Sequence, residues 1–154
     1  MLKTLRMNYK LSQTKLNSTF ENAENQLMHS NRLKFKKCKN WRNENVPDEA
    51  GIYAIFENEN ELIYIGESGN LEDRMNEINR TVNHSFRKQF GHLRYNGIKS
   101  RKKFTDDVEL LLDEYFANNL YVSFLPINFG RLEIETYLID KYQEKIFNSV
   151  KKRK

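Results

Sequence analysis

Two short apolar runs stand out in the middle of the chain. Gly51-Ile52-Tyr53-Ala54-Ile55-Phe56 and Leu62-Ile63-Tyr64-Ile65-Gly66 flank a polar stretch from Glu57 to Glu61. Runs this short, rich in Ile and Tyr on either side of a turn-forming segment, predict an antiparallel hairpin over 51–66 with a loop of about three to five residues. Downstream the apolar spacing becomes helical. Asn70 is placed to cap a helix near 70–80 whose stripe is Leu71, Met75 and Ile78. A second helix near 84–95 sets Phe86, Phe90 and Leu93 on one face. Thr105, followed by Asp106, Asp107 and Glu109, opens an amphipathic helix over 105–118 through Leu110, Leu111, Leu112, Tyr115 and Phe116. Leu120 to Ile127 reads as a strand ended by Pro126, and a last helix runs from about 131 to 147.

The first part of the chain is less regular. Leu2, Leu5, Met7, Leu11, Leu16, Phe20 and Leu27 are irregularly spaced, which predicts one or two short helices within residues 1–30. Residues 31–45 are polar and basic around Phe35 and Trp41, as expected of a linker or arm. Pro47 suits the approach to a strand, because its missing N–H breaks no ladder. The order of elements gives an α/β fold: a small domain with a three-stranded mixed or antiparallel sheet flanked by helices, plus a basic N-terminal extension. The expected divisions are an extension over 1–45, a domain over 46–150 and a basic tail over 151–154.

Composition narrows the class. At 154 residues the chain suffices for one domain with a real core. The hydrophobic share of 38% and the absence of any apolar run near the ~18 residues that span a bilayer point to a soluble protein without a membrane partner. The start, Met1 to Arg6, lacks the apolar core of a secretory signal, so the expected location is cytoplasmic. Cys38 is the single cysteine and the three histidines lie far from it, leaving no ligand set for a zinc site.

Charge is unevenly spread. Residues 1–42 hold ten Lys or Arg against Glu21 and Glu24, giving +8; residues 43–150 hold twelve basic and nineteen acidic side chains, giving −7; residues 151–154 add +4. An acidic core between basic ends suits an enzyme that binds a polyanion and needs its ends to hold the backbone. The plainer reading is that lysine-rich ends only solubilise the chain.

Further residues follow the hairpin at set distances. Arg74 lies ten positions beyond Tyr64, Glu135-x-x-Leu138-Ile139 lies on the last helix, and Asn148 follows Glu135 by thirteen. With Gly51-Ile52-Tyr53 and Tyr64-Ile65-Gly66 unaltered, these five ordered matches from Tyr53 to Asn148 make the chain resemble the GIY-YIG nuclease superfamily. The resemblance implies that fold, with the helix at 105–118 as either an insertion or ordinary packing. It also implies a metal-dependent endonuclease that cuts DNA, of a restriction or mobile-element type, using Mg²⁺ or Mn²⁺. A homodimer is left open. The rival reading is a non-catalytic nucleic-acid-binding protein that retains the fold, although binding alone does not require the full residue set.

The residue types suit phosphodiester hydrolysis. Glu135 is the implied metal ligand, since Mg²⁺ takes one or two carboxylates and keeps waters and phosphate oxygens as its other ligands. Arg74 suits neutralisation of the transition-state phosphate. Tyr53 and Tyr64 are implied to line the site, one of them deprotonating the attacking water. A phenol with a pKa near 10 needs a cation beside it for that task, and the sequence does not choose between them. His84 is a candidate to orient water or meet a phosphate, and Arg87, Lys88 and Arg131 are candidate nucleic-acid contacts. Asn148 suits a positioning role. One position departs from the family pattern: Glu67 stands where many relatives carry lysine directly after Tyr-Ile-Gly. Either another cation substitutes, or the chemistry is slower, or Glu67 adds negative charge near the metal.

Overall fold

The computed structural model describes residues 13–98 and 102–148. Expectations for Leu2, Leu5, Met7 and Leu11 and for the basic tail lie outside the described residues. The described elements run α1 (Gln13–His29), β1 (Leu33–Lys34), α2 (Lys39–Asn45), β2 (Gly51–Glu57), β3 (Glu61–Ser68), α3 (Leu71–Glu77), α4 (Ser85–Tyr95), α5 (Asp106–Asn119), β4 (Leu120–Pro126) and α6 (Arg131–Tyr142).

The strands form one antiparallel sheet in the order β1-β4-β2-β3. The sheet therefore has four strands rather than the expected three. The added β1 sets Leu33 and Lys34 opposite Val122 and Tyr121, and the Phe35 N–H extends it by donating to Leu120 O at 2.9 Å. A two-residue strand has no alternation to read, and it forms because the edge of β4 offers open backbone groups.

β2 sits inside the sheet and is buried along its whole length. Its alternation sends Tyr53 and Ile55 into a core with Phe35, Trp41, Met75, Phe86, Phe90 and Phe116, and Ile52, Ala54 and Phe56 into a second core with Ala23, Leu27, Ile134 and Leu138. Helices α2 to α5 thus cover one face, and α1 and α6 the other. Covering both faces explains why the strand reads as a nearly unbroken apolar run.

Residues 31–45, expected as a linker or arm, belong to the packed structure. Phe35 and Trp41 are buried and meet edge to face with ring centroids 5.5 Å apart. Upstream, α1 is a single 17-residue helix. It buries Ala23 and Leu27 against the sheet, and the Ser123 hydroxyl donates to Leu27 O at 2.7 Å. Glu24 accepts from Tyr142 and pairs with Lys141 Nζ at 2.7 Å, which ties α1 to α6. Leu16 and Phe20 are half-buried.

Three other expectations shift. On α4, Phe86 and Phe90 are buried but Leu93 is exposed, because the inward face turns toward Arg87 and Gly91. On α5, Leu112 and Phe116 are buried while Leu110 and Leu111 face solvent. Helix α6 stops at Tyr142 and not near 147. The chain after it runs along the open edge of β3, where the Phe147 N–H donates to Ile63 O at 2.8 Å. Among the described residues, no helix is long and apolar enough to cross a membrane.

Because Trp41 is buried in the core beside Phe35, Trp41→Ala should cost about 3–5 kcal/mol of stability. Urea unfolding of the full chain measures this, and a loss below about 1 kcal/mol would mean that α2 is only loosely attached.

Candidate active site

The hairpin register builds the floor of the site. In the β2–β3 ladder Tyr53 faces Gly66 and Tyr64 faces Ile55, with a bulge just beyond. A Cβ on Gly66 would lie 2.3 Å from the Tyr53 hydroxyl. The glycine is thus the seat on which the Tyr53 ring lies. Gly51 is held by a different contact, since a Cβ there would come within 2.4 Å of Leu125 O on β4. Both glycines of the two tripeptides therefore have a packing reason. Tyr53 and Tyr64 stack, with centroids 6.2 Å apart.

Two helices bring partners to Tyr53. Helix α3 begins as expected at Asn70, whose side chain accepts from the Asp73 N–H at 2.9 Å, and it buries Leu71 and Met75. This sets Arg74 Nε 3.4 Å from the Tyr53 oxygen, to which it donates, while Nη1 donates to Glu77 at 2.6 Å. The same nitrogen donates to Asn83 O at 3.4 Å. Arg74 Nη2 has no hydrogen-bond partner among the described residues. Helix α4 is preceded by His84 at its N-cap position, but the side chain makes no cap and its Nε2 lies 3.0 Å from the Tyr53 hydroxyl. His84 is fully buried, and its Nδ1 is without a partner.

The unpartnered Nδ1 bears on the tautomer. If Nδ1 carried the hydrogen, an N–H would be buried unpaired; with the hydrogen on Nε2, only a lone pair is left over, at lower cost. In that tautomer His84 and Arg74 both donate to the Tyr53 oxygen.

Electrostatics follow from burial and these contacts. Burial drives the Tyr53 pKa well above its ordinary value, with Tyr64 and Glu135 adding to the rise and Arg74 opposing it. Tyr64 is also raised by burial, opposed by Arg74. Burial works against the charge on Arg74, but Tyr53 and Glu77 more than offset it and hold its pKa above the usual arginine range. Burial, with Arg74 and Arg87 acting in the same direction, lowers His84 to about 3, so the imidazole is neutral at neutral pH.

A cleft of about 700 Å³ opens beside the edge strand β3, and its lining includes Tyr53, Tyr64, Glu67, Arg74, Glu135 and Asn148. Glu135 reaches it from the first half of α6, and Asn148 from the segment beyond. The Asn148 amide pairs with the Ile65 backbone in both directions, accepting from its N–H at 2.9 Å and donating to its carbonyl. It acts as one more rung on the open edge of β3, between Tyr64 and Gly66. Ser85, Gln89, Thr136, Tyr137 and Asp140 also line the cleft, and no motif or periodicity in the sequence marks them. Thr136 lies inside the Glu135-x-x-Leu138-Ile139 motif and Asp140 just after it, one and five positions from Glu135, neither of which is a same-face spacing to it.

The basic candidates separate. Arg87 is buried, pairing with Glu109 at 2.7 Å and Asp113 at 2.9 Å and donating to Thr81 Oγ1 at 3.0 Å. Its charge is used to hold α5 against α4, so the expected nucleic-acid contact is corrected to an internal ion pair. Lys88 is half-buried on α4. Arg131, the first residue of α6, places Nε 3.0 Å from Glu67 Oε2, and Glu67 lines the cleft. The residue that departs from the lysine pattern thus pairs with a cation on another element.

A family model described as the GIY-YIG catalytic domain matches residues 49–148. The chain belongs to the GIY-YIG family. This is a nuclease family whose members are generally dependent on a divalent metal. No curated protein and no solved structure matches the chain. The matched range begins just before β2 and ends on Asn148, so it takes in Tyr53, Tyr64, Arg74 and Glu135.

The donor set fits a hard cation. No group of three or more His, Cys, Asp or Glu able to hold an ion gathers among the described residues. The GIY-YIG cleft instead presents carboxylate oxygens, with Glu67 engaged by Arg131. One carboxylate with waters and phosphate oxygens is how Mg²⁺ is usually held, and Glu135 can supply it.

The neutral state of His84 has a measurable consequence. Its folded pKa lies below its unfolded one, so the unfolded chain binds the extra proton and stability falls as pH drops below about 6.5. The slope should approach about 1.4 kcal/mol per pH unit. Between about pH 6 and 5, above the range in which Glu24 and Glu109 take up protons, urea unfolding should show this slope for the wild type and not for His84→Asn. Equal slopes would place His84 in contact with water.

Proposed function

We propose that the chain is a divalent-metal-dependent endonuclease that hydrolyses DNA phosphodiester bonds, of the restriction or mobile-element type. The observation that carries this reading is the presence of Tyr53, Tyr64, Arg74, Glu135 and Asn148 around one cleft. Glu135 would hold Mg²⁺ or Mn²⁺, which would supply Lewis-acid polarisation and a more acidic water there and would offset the Glu135 charge that raises both phenols.

The chain's own residues supply the rest. Arg74 stays charged, and its Nη2 is available to an equatorial oxygen of the phosphate as negative charge builds there. Once its own phenolic proton has left through the cleft to bulk water, Tyr53 as phenolate accepts the proton of the attacking water. Two donors aimed at its oxygen, Arg74 Nε and His84 Nε2, favour the phenolate against the burial that disfavours it. Tyr64 packs on it and holds its ring. Asn148 fixes the strand edge carrying Tyr64 and Gly66, a positioning role.

The test is cleavage of supercoiled plasmid with Mg²⁺, with and without chelator. Glu135→Ala should abolish cleavage while circular dichroism shows the fold intact, because the side chain is only half-buried. Arg74→Ala should lower kcat/KM by about 10²–10³, and Arg74→Lys should recover only part, since lysine lacks the planar fork. Tyr53→Phe should lower kcat by about 10²–10⁴, with a smaller loss for Tyr64→Phe. DNA binding without cleavage by the wild type would make the chain a non-catalytic binder instead.

A further inference from the structure

The turn between β4 and α6 carries Phe129, which is 94% exposed, with half-exposed Leu132 close by on α6. The turn is pinned at both ends. Ile127 packs into the second core and its N–H donates to Ala50 O at 2.9 Å. On the other side Gly130, with φ +86°, turns the chain into α6, and Arg131 closes back on the loop by donating through Nη1 to the side-chain oxygen of Asn128 at 2.8 Å and to its carbonyl at 3.1 Å. Arg131 Nε is held by Glu67, which lines the cleft. The guanidinium is thus fixed on two of its three nitrogens, and Nη2 has no partner among the described residues.

An exposed phenylalanine alone on a surface is ordinary. Phe129 differs in its setting: the loop is rigidly seated, the next side chain is a clamped guanidinium, and the clamp's other half belongs to the proposed catalytic cleft. A guanidinium with one open nitrogen can donate to a phosphate oxygen, and an exposed aromatic ring two positions away on the same turn suits a base, the two contacts that proteins combine on nucleic-acid strands.

We propose that this turn is a substrate finger: Phe129 stacks on a base of the bound DNA next to the cleft, while Arg131 Nη2, fixed by Glu67 and Asn128, takes a neighbouring phosphate oxygen. The proposal rests on the nuclease reading above. It also gives Glu67 a role. Glu67 orients a cation supplied by α6, at a position where many relatives place the cation itself.

Trp41 is the chain's single tryptophan and is buried, so Phe129→Trp in a Glu135→Gln background adds a solvent-facing reporter. Duplex DNA should quench its emission, whereas heparin, a polyanion without bases, should not. Phe129→Ala should weaken duplex binding and raise KM for plasmid cleavage by about fivefold or more, the lower part of the range of a base stack because opening a duplex step offsets some of it. Phe129→Tyr should restore both. Absence of quenching at DNA concentrations that saturate binding would overturn the finger, as would wild-type affinity in Phe129→Ala. A dimer present in the wild type and lost in Phe129→Ala, with DNA affinity unchanged, would assign the residue to a second copy of the chain and overturn it equally. Quenching by DNA, together with a wild type that cleaves nothing, would uphold the finger and sink the nuclease reading alone.

Discussion

The site depends on one cross-strand contact, the Tyr53 ring lying over Gly66. β2 is paired on both edges and covered on both faces, so the Tyr53 backbone has no freedom to move. With the ring seated on the glycine, its hydroxyl becomes the point where α3 and α4 deliver Arg74 and His84. A larger residue at 66 would displace the ring and with it both contacts. The glycine here serves close approach, and its backbone φ is not in the left-handed region.

The edge strand β3 is the second constraint. An open edge exposes unpaired backbone groups, and here Phe147 and the Asn148 amide satisfy them over Ile63 and Ile65. That arrangement shortens α6 and brings Asn148 to the cleft. It also leaves α6 leaning on β3, so Glu135 faces the tyrosines across the strand edge. α6 is in turn tied to α1 through Glu24, Lys141 and Tyr142. The N-terminal helix therefore helps to hold the helix that carries the proposed metal ligand.

Charge serves two separate ends in the molecule. The Arg87 pairs with Glu109 and Asp113 are internal, and breaking a buried pair by removing one partner leaves an uncompensated charge, which fixes α5 to α4. Arg74 and Arg131 are also ion-paired, yet each keeps one nitrogen clear of its described partners. Partial pairing of this kind holds a guanidinium in place while leaving donors for a ligand.

The sequence determined the hairpin, the capped helix with Arg74 and the helix that carries Glu135, because local periodicity and an N-cap are written in consecutive residues. It also determined the family. What only the tertiary structure decided arises from contacts between distant segments. Phe35 and Trp41 lie in a polar, basic stretch whose pattern says arm, and they are core residues because the sheet face they cover is built from residues downstream. β1 exists only as a partner for β4. Arg87 and Arg131 look alike in the sequence, and burial separates them: one is enclosed by Glu109 and Asp113 of α5, while the other is half-buried and pairs with Glu67, which lines the cleft. Glu67 read as a lost cation, and it became half of a clamp because α6 returns its first residue to β3 across a gap of sixty-four positions. Spacing along a chain fixes which groups can share a turn of helix, but only the packed sheet and helices fix which charges meet.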